Sequence, residues 1–331
     1  MYKKSDYLLL PYSTSAVYHN LAVKWKLSGS GVEAAAVIHH DSVCIVPTSS
    51  KQNPSPKTRF IKCLSHTNDK NVQITQIAWG SLNYETVLIV TSTIGVQVFS
   101  QPDEECIYAH PCSDQAEKTT TSFARGIAVF NSMYFCIGNN AGSIRLFGPP
   151  NLDNEFCFID RKRNHSFPIA DLSAYRRNLA SVDEEGYIML WVMDTEELRH
   201  ETSTASKSNC TGVKLKRDWL ITIYASGCIR LYTIQKESTT NLNLSMEIAA
   251  HARAITALDV SENNEYLLTT SEDTYVKIWQ LYKDGNLQKL KHFENILVAD
   301  NMLMGGKFST PNGSRFLVTS YDSNVISCFS M

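Results

Sequence analysis

The sequence has no excess of charge of either sign, which narrows the classes of partner. It holds 31 lysines and arginines against 33 aspartates and glutamates, a net charge of −2 over 331 residues. Nucleic acids and anionic membranes attract proteins through excess positive charge. The composition therefore predicts no nucleic-acid partner. We interpret the basic cluster at residues 161–163 as solvated loop charge that nearby carboxylates balance.

Long hydrophobic runs and paired cysteines are missing as well. No stretch reaches the roughly 18 apolar residues of a membrane span, and the run of three leucines at residues 8–10 is too short for a secretory signal. The nine cysteines are scattered, and none has the Cys-x-x-Cys spacing of a zinc or redox site. We therefore expect reduced thiols, no stable membrane insertion, and a cytoplasmic protein that reaches vesicles or membranes only through a partner.

Catalytic and cofactor motifs are absent from the sequence. There is no phosphate-binding loop, no dinucleotide-binding glycine pattern after a strand, no nucleophile elbow and no metal-binding His-Glu-x-x-His. His39, His40 and Asp41 form a metal-like cluster, but adjacent strand residues point to opposite faces and share an ion poorly. We interpret that cluster as a turn, and we predict no catalytic residue, no metal, no cofactor and no enzymatic activity.

The stretch from His251 to Trp279 carries the strongest positive signal. It contains a histidine in a turn, a strand, a polar turn, a second strand, an aspartate in a tight turn, and a third strand that ends in tryptophan. Short strands separated by such turns are typical of an all-β protein.

Similar strand ends recur along the chain at intervals of about 40 to 50 residues, the repeat length of a four-stranded propeller blade. The final aromatics, near which we expect blades to end, are Phe99, Phe147, Trp191, Tyr232, Trp279 and Phe329, and a weaker first unit ends near Val46 and Leu64. The seven units fill residues 1–331 as a single domain. The last unit has only three strands before residue 331. We expect residues 1–15, with the apolar run at 7–12, to supply the fourth strand and close the ring.

These features make the chain resemble the WD-repeat family over nearly its full length. The resemblance implies a single seven-bladed β-propeller with a buried hydrogen-bond network in its best repeat. In that network Asp273 would orient His251. The imidazole would then reach the hydroxyl of Thr269 or Ser271, and that hydroxyl would accept from the indole of Trp279.

A second repeat carries a looser version of the same network. There the resemblance implies His165, Glu185 and Trp191, with glutamate in place of aspartate. We interpret both sets as buried scaffolding, because a catalytic base must face a substrate cavity.

Two arginines are the main candidates for binding a partner. Arg125 and Arg253 each lie just ahead of a unit's first strand, and in WD-repeat proteins this loop opens on the top face beside the central channel. Arginine is enriched at interface hot spots. Phe123, Phe167 and Glu272 complete the candidate set. The alternative is that each arginine pairs with a neighbouring carboxylate, such as Glu272 for Arg253.

The repeat and the missing catalytic motifs favour a non-enzymatic protein–protein interaction scaffold, working with other proteins or peptides as part of a larger complex. The alternative is a reader of acidic or phosphorylated peptides through Arg125 and Arg253 on the top face. Two weaker alternatives are a propeller enzyme and a phosphoinositide binder. The segment Phe123–Gly126 resembles the Phe-Arg-Arg-Gly motif of lipid-binding propellers but keeps one arginine, which contributes only about 1 kcal/mol at a membrane.

Overall fold

Every regular element that the structure describes is a β-strand, in agreement with the short apolar runs between turn residues. The computed structural model describes residues 1–26, 28–48, 57–63, 72–82, 85–101, 103–112, 122–130, 132–149, 156–236, 238–263, 265–285 and 287–331. Within these ranges no helix is long and apolar enough to cross a membrane. The prediction of an all-β fold is confirmed.

The strands form seven antiparallel sheets of four, the blades of a propeller. The first strand, β1 (Lys3–Leu9), belongs to the last blade. Blade 1 consists of β2 (Leu21–Trp25), β3 (Val32–His39), β4 (Ser42–Pro47) and β5 (Arg59–Lys62). Blade 2 consists of β6 (Ile74–Leu82), β7 (Glu85–Ser92), β8 (Gly95–Ser100) and β9 (Cys106–Pro111). Blade 3 consists of β10 (Ala124–Phe130), β11 (Tyr134–Asn139), β12 (Ser143–Gly148) and β13 (Cys157–Arg163).

The remaining blades follow the same order, from the channel outward. Blade 4 consists of β14 (Ile169–Tyr175), β15 (Asn178–Asp183), β16 (Tyr187–Asp194) and β17 (Glu197–Ala205). Blade 5 consists of β18 (Cys210–Lys216), β19 (Trp219–Tyr224), β20 (Cys228–Lys236) and β21 (Thr240–Ala249). Blade 6 consists of β22 (Ile255–Val260), β23 (Tyr266–Ser271), β24 (Tyr275–Asp284) and β25 (Leu287–Leu297). Blade 7 consists of β26 (Leu303–Phe308), β27 (Arg315–Ser320), β28 (Val325–Ser330) and β1.

The aromatic residues that mark each repeat lie in the third strands and do not end the blades. In blades 4, 5 and 6 the third strand continues past Trp191, Tyr232 and Trp279, and a fourth strand follows. The pairing of third with fourth strand shifts register at each of these aromatics, so the bulky ring coincides with a β-bulge. The expected blade ends were therefore placed one strand too early. Leu64 lies outside the described residues.

The ring is closed by β1, as predicted, but by an earlier stretch than the apolar run at 7–12. Strand β1 pairs antiparallel with β28, from Lys3 opposite Ser330 to Leu9 opposite Val325. Pro11 has no N–H to donate to a ladder, so pairing beyond Leu9 is disfavoured there. Strand β1 is thus the outer strand of blade 7, and its pairing joins the two ends of the chain in one sheet.

The ring has two faces, which the antiparallel strands define. The turns between second and third strands lie at the end where the chain enters each first strand, and we call this end the top face; the turns between first and second strands lie at the bottom face. Residues 10–20, which we call the strap, cross the top face from β1 to β2. The Thr14 N–H donates to Ser323 O at 3.0 Å, and the Ser15 N–H donates to Ile38 O at 3.0 Å.

The hydrophobic core lies between neighbouring blades rather than at one centre. One cluster joins Ile38 and Ile45 of blade 1 to Ile74 and Leu88 of blade 2, all of them almost fully buried. Each such side chain contributes roughly 1.5–3 kcal/mol when it is removed from water. The face of each blade is thus covered by the next, which keeps the loops of the top face in fixed positions.

Candidate functional site

The polar network of blade 6 is a closed structural unit. The Nδ1 atom of His251 lies 3.0 Å from Asp273 Oδ2, and its Nε2 lies 2.9 Å from the Thr269 hydroxyl. The Trp279 indole N–H donates to the same hydroxyl at 3.1 Å. Of the two hydroxyls considered, Thr269 therefore occupies the network, and Ser271 instead donates to Arg253 O at 3.2 Å.

The charges of this network suit a scaffold and not a catalytic base. Burial lowers the pKa of His251, and the hydrogen bond with Asp273 offsets only part of that effect. Burial would raise the pKa of Asp273, but His251 and two backbone N–H groups outweigh it and hold that pKa well below its ordinary value. The imidazole is neutral at pH 7, buried, and fully engaged by its partners.

In blade 4 the carboxylate of the network is Asp183, and the prediction of Glu185 was wrong. The Nδ1 atom of His165 lies 2.9 Å from Asp183 Oδ2, while Ser181 Oγ bridges His165 Nε2 at 2.7 Å and the Trp191 indole at 2.9 Å. Glu185 precedes Trp191 by the same number of residues as Asp273 precedes Trp279, and this spacing led to the prediction. The turn is built differently, because Asp183 Oδ1 also accepts the backbone N–H groups of residues 185 and 187.

The two candidate arginines occupy different positions in their blades. Arg253 lies ahead of β22, as expected, whereas Arg125 lies inside β10, so the expectation was wrong for Arg125. The register of β10 shifts after Arg125, where Gly126 adopts a φ of +85°. A Cβ at Gly126 would lie 2.9 Å from the Leu172 side chain, so this bulge requires glycine.

The strap brings the two arginines into one site through Tyr18. The Tyr18 hydroxyl donates to Glu272 Oε1 at 2.8 Å, and Glu272 Oε2 lies 3.4 Å from Arg253 Nε. Arg125 pairs with Glu184 at 3.5 Å, so both arginines have carboxylate partners. Burial and the hydrogen bond to Glu272 raise the pKa of Tyr18 to about 12, while the charges of Arg125 and Arg253 act in the opposite direction. Tyr18 therefore remains a neutral donor between them.

A depression of about 550 Å³, which we call the top-face pocket, lies beside this cluster. Its floor is apolar and its rim is charged, a combination typical of binding sites. Its lining residues come from the strap and from blades 2, 3, 6 and 7: Ala16, Val17, Tyr18, Gln73, Ile74, Thr75, Thr93, Phe123, Arg125, Glu272, Met302 and Met304. Phe167 is not among them, because it stacks on Tyr187 with ring centroids 6.4 Å apart.

The strap also reaches the central channel through His19. The backbone N–H of His19 is shared between Thr256 O at 3.0 Å and Met304 O at 3.1 Å, and its ring Nε2 lies 3.1 Å from Thr211 O. A Cβ at Gly212 would lie 2.6 Å from that ring nitrogen. A glycine in β18 therefore makes room for the imidazole.

The other clusters of titratable residues have structural partners. In the channel, Asp259 Oδ1 lies 3.3 Å from Lys214 Nζ and 3.5 Å from Lys307 Nζ. His39 holds the strap, because its Nδ1 lies 2.6 Å from Ser13 O and its ring stacks on Tyr12. In the part of the chain that the structure describes, no three His, Cys, Asp or Glu residues could jointly hold a metal ion.

Comparison with known proteins agrees with this architecture. The family model of WDR54 matches residues 1–331. The chain belongs to the WDR54 family. The WD-repeat propellers to which this family belongs generally bind other proteins.

Members of the WDR54 family from mammals match the chain along its length. Human WD repeat-containing protein 54 is 28% identical over 328 residues, which cover 96% of each protein. The mouse protein of the same name is 27% identical over 334 residues, with 97% of each covered. A chain in the crystal structure of the mitotic checkpoint complex shares the fold at 14% identity, with a TM-score of 0.75 over 100% of this chain and 93% of that one.

No sequence motif indicated the part played by the strap in this WDR54-family protein. Tyr18 and His19 precede β2 in a stretch with no motif, and their partners are distant in sequence. A glycine at position 212, inside a strand that otherwise needs side chains, is the available hint, since such a glycine often marks the close approach of another group.

Proposed function

We propose that this protein is a non-enzymatic interaction scaffold that binds a partner protein at the top-face pocket, as one member of a larger complex. The observation that carries the proposal is the convergence of Tyr18, Arg125, Arg253 and Glu272, from the strap and from blades 3 and 6, beside an apolar pocket of about 550 Å³. An apolar centre with a charged rim and exposed arginine is the usual anatomy of a protein-binding hot spot.

The charges of this site are arranged so that a partner can displace them. The Arg253 side chain is 65% exposed, and its contact with Glu272 is long at 3.4 Å. Arg125 is more buried but reaches Glu184 only at 3.5 Å. Exposed pairs of this kind contribute about 0–1 kcal/mol, so a carboxylate from a partner replaces them at small cost.

The chemistry of the site supports binding over catalysis. Glu272 is occupied by Tyr18 and Arg253, and the raised pKa of Tyr18 keeps its proton in place at pH 7. The nine cysteines, all within the described residues, form no disulfide. Free thiols support the proposal that the protein works in the cytoplasm.

A second candidate function is the reading of acidic or phosphorylated peptides. The observation that favours it is that Arg125 and Tyr18 line the same pocket, while Arg253 and Tyr18 share the carboxylate of Glu272. A phosphate placed there would meet two guanidinium groups, which bind phosphate oxygens with bidentate geometry.

Partner recovery from cells tests the proposal with a matched pair of variants. Arg253→Glu reverses the charge next to the pocket, where Arg253 pairs with the lining residue Glu272. Arg199→Glu makes the same change on β17, at a side chain that is also 65% exposed and also paired with a glutamate, Glu201. We expect a specific partner to be recovered by wild type and by Arg199→Glu, and to fall at least about tenfold with Arg253→Glu.

Two results decide between the candidate functions. Equal recovery of every partner by both variants would contradict a top-face site. If phosphatase treatment of the lysate abolishes recovery of the partner by wild type, the result supports a phosphopeptide reader. If recovery is unchanged, the result supports a general scaffold.

A further inference from the structure

A second cleft, of about 420 Å³, lies at the bottom of the ring where blade 7 meets blade 1. We call it the seam cleft, because it lies at the seam that β1 closes. Blade 7 contributes one wall and blade 1 the other, with these residues: Ser5, Asp6, Leu8, Ser309, Thr310, Arg315, Phe316, Leu317, Cys328 and Phe329, facing Lys26, Ser30, Gly31, Val32 and Thr48.

The two walls each present an unpaired cation. Lys26 follows β2 in blade 1, Arg315 begins β27 in blade 7, and both side chains are exposed. Across the described ranges neither forms an ion pair. One carboxylate, that of Asp6, also lines the cleft, and it accepts the backbone N–H of Tyr7. The cleft therefore carries a net positive charge. Because Lys26 lies on blade 1 and Arg315 on blade 7, the repulsion between these two cations acts between the two blades.

Two hydroxyl groups that line the same cleft have protons available for a ligand. Ser30 forms a hydroxyl pair with Ser28 at 2.8 Å, and Thr310 forms one with Ser314 at 3.1 Å. In such a pair one hydroxyl donates to the other, which leaves the second proton free. The Thr310 hydroxyl already accepts the backbone N–H of Arg315 at 2.9 Å. When Ser314 donates to Thr310 as well, the proton of the Thr310 hydroxyl is free to turn into the cleft.

We propose that the seam cleft binds a phosphate group. A phosphate offers three strongly accepting oxygens and close to two negative charges at pH 7. Arg315 supplies a planar fork from one wall, Lys26 a point charge from the other, and the Ser30 and Thr310 hydroxyls the remaining donors. The apolar floor of Val32, Leu317 and Phe316 holds the group that carries the phosphate. This site is at the opposite face from the top-face pocket and is independent of it.

Phosphate in this cleft also strengthens the closure of the ring. It bridges blade 7 and blade 1, which meet here through few polar contacts, such as the Val32 N–H to Ser309 O bond at 3.3 Å. A ligand that binds only the folded state raises the melting temperature according to its concentration relative to Kd. At a concentration tenfold above Kd we expect a rise of about 3 °C.

Thermal melts of the full chain test the proposal, at constant ionic strength, with inorganic phosphate and with O-phosphoserine as probes. The test variants are Arg315→Gln and the double variant Lys26→Ala/Arg315→Gln. The control is Arg217→Gln/Lys291→Ala, which removes an exposed arginine and an exposed lysine outside the cleft. Phosphate stabilises many proteins without binding them, and the control measures that contribution.

We expect wild type and control to show the same phosphate-dependent rise, Arg315→Gln to lose most of it, and the double variant to lose all of it. Without phosphate, the double variant should melt no lower than wild type, because it removes a repulsion. The absence of a rise in wild type up to about 20 mM phosphate, or an equal rise in the double variant, would overturn the proposal.

A separate sedimentation experiment with lipid vesicles identifies the molecule that carries the phosphate. Sedimentation with phosphatidylcholine vesicles that contain a phosphorylated inositol lipid, lost with Arg315→Gln, identifies a lipid headgroup. A response to O-phosphoserine without vesicle binding identifies a soluble phosphate. Either outcome requires Arg315, and a response that does not depend on Arg315 counts against the site.

Discussion

The replacement Tyr2→Ala tests the closure of the ring by its N-terminal strand. Tyr2 is only 4% exposed. Its ring lies edge-on to Phe316 of β27, with centroids 5.0 Å apart, and its hydroxyl donates to Gly313 O. These contacts fix β1 to blade 7 at the point where the chain would otherwise separate from the sheet.

The expected cost follows from the size of the buried group. Replacement of a buried large aromatic by alanine destabilises proteins by about 3–5 kcal/mol. We take the lower end, about 3 kcal/mol, because Asn312, next to Gly313 in the same turn, is exposed to water. Since 1 kcal/mol shifts the melting temperature by about 2–4 °C in domains of 150–250 residues, we expect a fall of roughly 6 °C or more.

Tyr7→Ala is the matched control, because Tyr7 lies within β1, which Tyr2 immediately precedes, but is 53% exposed. It should change stability by less than about 1 kcal/mol. Calorimetry and urea unfolding of both variants measure the difference. If Tyr2→Ala and Tyr7→Ala melt alike, β1 does not close the ring in the manner described.

Three further predictions concern the scaffold. Asp183→Asn should destabilise the fold by about 2 kcal/mol in urea unfolding, because it weakens a buried charge-assisted bond, while Glu185→Gln should be nearly neutral; the reverse order would contradict the network of blade 4. Gly212→Ala should cost about 1–3 kcal/mol through its clash with His19, and a double-mutant cycle with His19→Ala should show that this cost largely disappears. The lowered pKa of His251 implies full stability above the unfolded value of about 6.5 and a loss as pH falls through the folded value. Melting temperatures between pH 7.5 and 5 should therefore decline less steeply in His251→Gln.

The blades could be predicted from the sequence because their signal is local. Apolar residues that alternate along a strand, with turn residues at either end, depend on the pleat and on nothing distant. The incomplete last unit likewise indicated that residues near the start of the chain close the ring. What the local pattern missed was the continuation of third strands past Trp191 and Trp279, since a bulge lets a strand proceed without changing its composition.

The candidate site was predicted only in part, because its assembly is non-local. Arg125 and Arg253 were singled out from their place in the repeat, but Arg125 lies inside β10 whereas Arg253 lies ahead of β22. Tyr18 contacts Glu272 across 254 positions of sequence, and no motif announces such a contact. Asp183 was missed because the prediction chose the acidic residue by its spacing from Trp191, whereas the geometry of the turn determines which carboxylate reaches His165.

Hydrogen exchange of the protein with its recovered partner shows whether that partner binds at the top-face pocket. We expect binding to slow exchange at the backbone amides of the strap and of the turn that carries Glu272, while exchange in the outer strands β17 and β21 stays unchanged. Protection confined to outer strands or to the bottom face, with the strap unaffected, would contradict a binding site at the top-face pocket.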